Sequence, residues 1–327
     1  MTIKRVTRIS VKTAVNCFRK VIELDSNLAK TTKAAYRSNL NLVTKFLGKK
    51  LLKDVTAHDL EEFLNEILPN IPHRRGDGYN TKMRKNIKTV LKILFSHYIK
   101  IGELRRNPFE NGIKLYAKDD LNFVLPYTKE ELRALAAVAD GSGVVEAVLF
   151  AAREGLRPCE LIALTESSYS QDDSRLQVKQ SMALGHMKSP KTNSSKRNLA
   201  ITSRSEEVLI QMIQKPNRKD VTYCLNNNSI TEKFIFTNPE GECWGDAKKL
   251  SLALVPYFEK AGVKPRGVAP ARHSFITNSI ESGMSFEETA EYVGHNNTTT
   301  IKEYYLHWKD YSRGVKSLQQ RNAESTF

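Results

Sequence analysis

Two arginines, a lysine, a histidine and a pair of tyrosines in the second half of the chain could together act on a phosphodiester. In chain order they are Arg157, Lys191, Arg272, His295, Tyr304 and Tyr305. An arginine side chain can meet two phosphate oxygens at once through its planar fork of donors. A phenol can attack phosphorus and form a covalent intermediate. The set is therefore suited to holding a phosphodiester and cleaving it by nucleophilic attack.

Each of these residues also has an ordinary structural explanation. Arg157 precedes Pro158, which suits the first position of a helix, and Glu160 lies one turn further on, so the two charges could form a structural ion pair. A Gly-His pair such as Gly294-His295 often only satisfies carbonyl groups at a helix end. The functional interpretation rests on the order and spacing of the whole set, in which Glu160 would orient Arg157.

The charge of the chain indicates an anionic partner. The 327 residues carry a formal net charge of +15, and an excess of this size favours nucleic acid. Residues 1–126 hold 25 Lys and Arg against 12 Asp and Glu, a net charge of +13, so the remainder carries only +2. The N-terminal part would therefore supply most of the unspecific attraction to phosphate.

Composition argues against several other classes of protein. Hydrophobic residues make up 40% of the chain, enough for ordinary soluble cores. The four cysteines form no CxxC pair, so neither a zinc site nor a disulfide framework is expected, and reduced thiols fit a cytoplasmic protein. The N-terminus lacks the apolar run of a signal peptide, and no apolar stretch is long enough to span a membrane.

Hydrophobic spacing predicts an N-terminal domain made of helices. Apolar residues recur at helical intervals in three segments, 31–46, 60–67 and 81–100. Thr56 is the expected N-cap of the second helix.

A linker is expected over 115–126, after which Thr128 and Glu131 form a capping box that opens a new helix. We therefore place one domain at 1–122 and a second at 123–327.

The third of these helices carries a row of cations opposite its apolar stripe, with no acidic residue among them. Together with two arginines of the preceding loop, they form a predicted DNA-binding set: Arg74, Arg75, Lys82, Arg84, Lys85, Lys88 and Lys92. A solvated amphipathic face would show a similar pattern. The absence of interspersed acids favours a helix laid against a DNA backbone.

The second domain is predicted to mix helices with a few strands. One helix covers 144–152 and ends at Gly155. The expected strands are 175–182, 197–201 and 233–237, and the later helices are 246–261, 271–282, 286–293, 299–306 and 310–322.

The ordered motifs resemble those of the tyrosine recombinase family, the phage-type integrases. The matching runs are Gly-Leu-Arg-x-x-Glu-Leu at 155–161, Lys-Thr at 191–192, Ala-Arg-His-Ser-Phe-Ile-Thr at 271–277, Val-Gly-His at 293–295 and the tyrosines at 304–305. Each motif alone is moderately specific, whereas the ordered set is highly specific. The resemblance covers nearly the whole chain. It implies a mainly α fold with a small antiparallel β-sheet, in which an all-helical core-type DNA-binding domain precedes an α+β catalytic domain.

The resemblance also implies a role for each site residue. Arg157 and Arg272 would clamp the scissile phosphate. Lys191, on a β-hairpin, would protonate the leaving 5′ oxygen, and His295 would hydrogen-bond the phosphate. The product would be a covalent 3′-phosphotyrosine and a free 5′ hydroxyl, so neither a cofactor nor a metal would be required.

The nucleophile would be a tyrosine nine or ten positions after His295, and both positions hold one. The family often carries Tyr-x-His here, which fits Tyr305-Leu306-His307, so Tyr305 is favoured and Tyr304 is the alternative. A phenol with a pKa near 10 is a poor nucleophile at neutral pH, and surrounding cations would lower that pKa.

One position departs from the family pattern. The family usually has a histidine three residues before the second arginine, and here that residue is Ala269. A methyl group can neither donate to a phosphate oxygen nor accept a proton. The loss of one such donor would cost roughly 10²-fold in rate. His273 directly follows Arg272 and is expected to face elsewhere.

The resemblance implies a site-specific recombinase of a mobile element. Its substrate would be double-stranded DNA with paired half-sites, on which it would form a tetramer, with the tail from about 308 to 327 packing on a neighbouring subunit. Two alternatives stay open. One is a type IB topoisomerase or resolvase-like strand transferase, and the other is a DNA-binding regulator whose site is weakened at Ala269.

Overall fold

The structure is a computed structural model that describes residues 8–73, 76–116, 124–189, 196–225 and 228–324, with side chains left undescribed at 73, 76–77 and 315–324. The chain divides into two units, Met1–Asn122 and Phe123–Phe327. The predicted fold class is confirmed, since helices dominate and the sheets are small and antiparallel. No helix in the described part of the chain combines the length and apolar character that crossing a membrane requires.

The first unit is built from helices and one very short ribbon. Its α-helices are α1 (Val11–Leu24), α2 (Lys30–Leu47), α3 (Ala57–Glu62) and α4 (Thr81–Lys100). A π turn (Phe63–Ile67) and a 3₁₀ turn (Leu68–Asn70) continue α3. The strands β1 (Pro72–His73) and β2 (Gly76–Asp77) pair antiparallel, so the unit is not entirely helical as predicted.

The helix α4 organises the core of this unit. Asn80 caps it by accepting a hydrogen bond from the backbone N–H of Met83 at 2.9 Å, as expected of an Asn at an N-cap. Its buried stripe includes Ile87, Leu94 and Tyr98. The hydroxyl of Tyr98 donates to the carbonyl of Ala14 at 2.9 Å, so its polar end is satisfied within the core.

The predicted exposure of Arg84 is wrong. Its side chain is only 2% exposed, and its guanidinium donates to the carbonyls of Leu64 at 3.2 Å and Tyr116 at 2.8 Å. Position 84 lies three residues before Ile87 and therefore shares the buried face of α4. Arg84 joins neighbouring segments of the first unit and is not available to a DNA backbone.

In its described residues, the second unit combines helices with three small antiparallel sheets. Its helices are α5 (Lys129–Ala137), α6 (Val144–Glu154), α7 (Pro158–Leu161), α8 (Ser203–Ile213), α9 (Ala247–Ala253), α10 (Val255–Lys260), α11 (Ala269–Glu281), α12 (Phe286–Val293) and α13 (Thr299–Glu324). Its strands are β3 (Tyr169–Ser170), β4 (Arg175–Val178), β5 (Ser181–Ala183), β6 (His186–Lys188), β7 (Arg197–Ala200), β8 (Asp220–Leu225) and β9 (Asn228–Lys233). They pair as β3-β4-β7, β5-β6 and β8-β9.

Several predicted elements of the second unit differ from the structure. The helix 246–261 is divided at Leu254, where Pro256 fits the first turn of α10. The segments 299–306 and 310–322 form one continuous helix, α13. The run 233–237 is not a continuous strand. Strand β9 ends at Lys233, and beyond it Phe234 and Thr237 form isolated β-bridges with Thr165 and Cys243.

Gly155 lets two buried helices approach each other beside the candidate site. It ends α6 in a left-handed conformation with φ +64°. A Cβ at this position would lie 2.5 Å from Phe275 Cδ1 and 2.9 Å from Val293 Cγ1. Both the backbone conformation and the space therefore require glycine.

We expect Gly155→Ala to destabilise the second unit by about 3 kcal/mol, the sum of left-handed strain and overpacking. The free energy of unfolding in urea is measured by tryptophan fluorescence, since Trp244 and Trp308 both lie in this unit. The matched control is Gly262→Ala, which has φ +65° and nothing within 4 Å of the added Cβ. The control should cost only about 1 kcal/mol. Equal losses in the two variants would contradict the packing argument.

Candidate active site

Arg157 is held at the junction between two helices. It is the N-cap residue of α7, directly before Pro158, as its sequence position predicts. One guanidinium nitrogen donates to Glu160 Oε1 at 2.6 Å, and another donates to the carbonyl of Gly294 at 2.8 Å. Its side chain is 30% exposed, so it keeps an edge toward solvent.

Arg272 lies in the first turn of α11 and is almost fully buried. Its guanidinium donates to the carbonyl of Gly155 at 2.6 Å and to the carbonyl of Val293 at 2.8 Å. These carbonyls lie at the C-terminal ends of α6 and α12, where a helix presents unsatisfied acceptors and a partial negative charge. Helix α11 begins at Ala269, two residues earlier than predicted, because Pro270 fits its first turn.

Glu160 connects the two arginines and adds a third. Its carboxylate lies 2.6 Å from Arg157, 3.0 Å from Arg197 and 3.9 Å from Arg272. Its side chain is 4% exposed. Arg197, on β7, was not identified from the sequence, although it ends the same basic stretch that contains Lys191. Three guanidinium groups around one carboxylate leave a net positive charge in the cluster.

The electrostatic effects in this cluster oppose one another. Burial alone would raise the pKa of Glu160, but Arg197 and Arg157 outweigh it, so the pKa of this carboxyl is lowered. Burial and then the charge of Arg157 lower the pKa of Arg272 to about 9. At neutral pH the carboxylate and the guanidinium are both still charged.

His295 lies on the turn after α12, close to the arginines. Gly294 ends that helix in a left-handed conformation with φ +71°, and the backbone N–H of His295 bonds to the carbonyl of Ala290 at 2.8 Å. Burial, then the charges of Arg272 and Arg157, lower the pKa of His295 to about 4. The imidazole is therefore neutral at pH 7, and its buried Nδ1 has no hydrogen-bond partner among the described residues.

The two tyrosines of α13 have different surroundings. The ring of Tyr304 stacks on the ring of His273, with 4.2 Å between centroids and 26° between planes. Its hydroxyl donates to the carbonyl of Val124 at 2.8 Å, and burial raises its pKa. The ring of Tyr305 instead meets the edge of Phe286, at the N-terminal end of α12.

The expectation that His273 faces away from the site is wrong. Its ring contacts Tyr304, and its charge state affects His295. The reason is helical geometry, because residues four apart share a face, and position 273 follows Ala269 by one turn of α11.

The remaining predicted site residues are Lys191 and the basic residues of the first unit. Lys191, like Arg74 and Arg75, lies outside the described residues. On α4 the side chains of Lys82, Lys85 and Lys92 are exposed, as predicted, whereas Lys88 is half-buried and donates to the carbonyl of Ile113.

We expect Glu160→Gln to reduce the free energy of unfolding at pH 7 by about 3 kcal/mol, because it leaves three buried or half-buried guanidinium groups without their carboxylate. The lowered pKa of Glu160 means that its contribution is complete above its ordinary pKa near 4.5 and is lost as pH falls. Urea unfolding at neutral and acidic pH should therefore show a difference from the parent protein that shrinks below that value.

The matched control is Glu130→Gln, because this carboxylate pairs with Arg133 at 3.6 Å but is exposed. It should lower stability at neutral pH much less than Glu160→Gln does, because the carboxylate is exposed. A Glu160→Gln difference that stays constant with pH would contradict the electrostatic explanation.

The chain is similar to proteins of one family over most of its length. It is 25% identical over 273 residues to a tyrosine recombinase XerC-like protein of Caldanaerobacter subterraneus subsp. tengcongensis, an alignment that covers 76% of this chain and 66% of that protein. The chain therefore spans just under two thirds of that relative's length. No protein-family model matches the chain.

Solved structures show the same fold. A Tn1549 transposon integrase in complex with a circular intermediate DNA matches with a TM-score of 0.73 at 19% identity, covering 95% of this chain and 99% of that one. A lambda integrase tetramer bound to a Holliday junction matches with a TM-score of 0.67 at 16% identity, covering 91% and 78%. The shared fold, the similarity along the sequence and the ordered motifs agree, and the chain is similar to proteins of the tyrosine recombinase family.

Proposed function

We propose that this protein is a site-specific DNA recombinase that cleaves and rejoins strands through a covalent 3′-phosphotyrosine intermediate. The observation that carries the proposal is the pair Arg157 and Arg272, which are held by carbonyls at two helix ends and connected by Glu160. Each guanidinium has donors beyond those bonds. They can bind the non-bridging oxygens of a phosphodiester and stabilise the charge that develops during attack.

His295 is the proposed third contact to the phosphate. A neutral imidazole can donate a hydrogen bond from one ring nitrogen and accept at the other. The turn after α12 brings it near both arginines, whose charges affect its pKa. His295 would add one hydrogen-bond donor of fixed direction, whereas the two arginines supply most of the positive charge.

We propose Tyr304 as the nucleophile, in preference to Tyr305. Its ring contacts the residue that follows Arg272, whereas the ring of Tyr305 lies against Phe286 at the opposite end of α12 from His295. Eight residues of helix separate those two ends, which corresponds to about 10 Å. The hydroxyl of Tyr304 must leave the carbonyl of Val124 before it can attack.

The remaining steps follow from the chemistry of the exchange. The phenol oxygen forms a bond to phosphorus as the bond from phosphorus to the 5′ oxygen breaks. Lys191 is proposed to protonate that oxygen, by resemblance to the family. The phosphotyrosine retains the energy of the phosphodiester, so the 5′ hydroxyl can reverse the reaction on the same or another strand without a cofactor.

Double-stranded DNA with paired half-sites is the proposed substrate, and a tetramer is the proposed assembly. Two of the structures that share this fold are complexes with a circular intermediate DNA and with a Holliday junction, the latter a tetramer. The tail from about 308 is proposed to contact a neighbouring subunit. We also propose that the protein acts in the cytoplasm, on DNA of a mobile element.

A regulator that binds DNA without cleaving it is the main competing function, because Ala269 stands where the family usually has a histidine. A type IB topoisomerase would form the same adduct but would not exchange strands between two sites. Covalent trapping separates the regulator from the enzymes, and strand exchange on Holliday junctions separates the recombinase from the topoisomerase.

We expect the parent protein to form a covalent adduct with nicked suicide duplexes, in which the cleaved end diffuses away and traps the enzyme. The duplexes tile both ends of the genetic element that encodes the chain, and adducts are detected by denaturing gel electrophoresis. Tyr304→Phe should abolish the adduct, because it removes the attacking oxygen, and the matched variant Tyr305→Phe should retain it.

An adduct that survives Tyr304→Phe and disappears in Tyr305→Phe would reassign the nucleophile. No adduct with the parent protein on any duplex would support the regulator.

We expect the triple change of Lys82, Lys85 and Lys92 to Ala to weaken binding to a duplex of arbitrary sequence. A plot of the logarithm of the binding constant against the logarithm of the salt concentration has a negative slope. Each lost phosphate contact should make that slope shallower by about 0.9, so three lost contacts should make it shallower by about 2 to 3. Fluorescence anisotropy at salt concentrations of about 50 to 200 mM measures it. The triple change to Arg keeps the charge and should keep the slope. An unchanged slope in the Ala variant would show that this face of α4 does not contact DNA.

A further inference from the structure

The proposed reaction needs an acceptor for the phenol proton, and the usual imidazole is absent. Ala269 is the first residue of α11 and its methyl group is exposed. Positions 272 and 273 follow it by three and four residues, so all three lie on one side of the first helical turn. An imidazole at position 273 therefore occupies the same side of the site as one at position 269 would.

His273 is in direct contact with the proposed nucleophile. The two rings stack with 4.2 Å between centroids. The Nδ1 atom of His273 is buried and has no hydrogen-bond partner among the described residues. Leaving such an atom unpaired costs about 1–3 kcal/mol, whereas a phenylalanine could stack without that cost. Packing alone therefore does not account for a histidine here.

Burial and the charge of Arg272 keep the imidazole of His273 neutral in the absence of DNA. The groups that face it are Arg272 on its own helix, His295 from the turn after α12, and Tyr304 from α13. Burial, followed by the charge of Arg272, lowers the pKa of His273 to about 4. A neutral imidazole has a lone pair and can accept a proton. A bound phosphodiester adds a negative charge nearby, which favours the imidazolium.

We propose that His273 accepts the proton of Tyr304 during strand cleavage, in place of the histidine that Ala269 replaces. This role rests on the proposed function. The O–H bond of Tyr304 breaks as its oxygen bonds to phosphorus, and the proton moves to a ring nitrogen of His273. The bond from phosphorus to the 5′ oxygen breaks, and that oxygen takes a proton from Lys191. On religation His273 returns the proton to the phenol.

The test is the single-turnover rate of adduct formation on the suicide duplexes, measured for the parent protein and His273→Phe. Phenylalanine keeps the stacked ring and lacks the nitrogen. Cleavage should slow by about 10²- to 10⁴-fold, the range for losing a general base, while thermal unfolding and DNA affinity stay the same. The parent rate should fall at acidic pH as the imidazole protonates, and the fall should be smaller in His273→Phe, in which only the His295 imidazole of the site still titrates in that range.

Restoring the imidazole one turn earlier is the second arm of the test. The double variant Ala269→His with His273→Phe should recover at least about tenfold of the lost rate, since a general base contributes 10²-fold or more. A merely structural role for His273 would not be rescued in this way.

The possible results distinguish the role of His273 from the proposed recombinase activity. An adduct with the parent protein that Tyr304→Phe abolishes supports the recombinase chemistry, and a His273→Phe rate equal to the parent rate would then overturn the role of His273 alone. A slow His273→Phe variant with an unaltered pH profile and no rescue by Ala269→His would also overturn it. No adduct with the parent protein would overturn both proposals.

Discussion

The arginine cluster exists only because acceptors inside the protein hold it together. Two like charges about 4 Å apart repel by about 4 kcal/mol when the effective dielectric constant is near 20, and this site gathers three guanidinium groups. The buried carboxylate of Glu160 lies within 4.0 Å of all three. Carbonyls at the ends of α6 and α12 bind the donors that point into the protein. Without these acceptors, the cations would separate or remain in water.

The same arrangement explains why the site is ready for an anion before one arrives. Donors that are fixed by the fold need no reorganisation when charge develops on a phosphate, and such preorganisation is often the largest electrostatic contribution to catalysis. Gly155 helps to fix these donors in two ways. Its carbonyl accepts a hydrogen bond from Arg272, and its lack of a side chain leaves room for Phe275 and Val293. The packing of α6 against α11 and α12 therefore sets the positions of the charges.

The sequence predicts those parts of the structure that depend on neighbours along the chain. The N-cap at Thr56, the capping box at Thr128, the extent of α4 and the junction at Arg157 are all present. Features set by packing between distant segments were missed. Burial of Arg84, for example, depends on the carbonyls of Leu64 and Tyr116. Adjacent tyrosines on a helix point about 100° apart, so local motifs could not show which phenol lies beside α11.

Ala269 stands where the family usually has a histidine, but the rest of α11 makes this weaker evidence for an inactive site. A missing histidine in a sequence motif suggests a weakened site only if no other residue can place an imidazole on the same side of the nucleophile. On α11 the residue one turn later is a histidine, its ring touches Tyr304, and one of its nitrogens is buried without a partner. Side chains four residues apart on a helix share a face, so a histidine one turn later presents its imidazole on the same face of α11. The feature that most favoured a non-catalytic regulator is therefore compatible with a working enzyme.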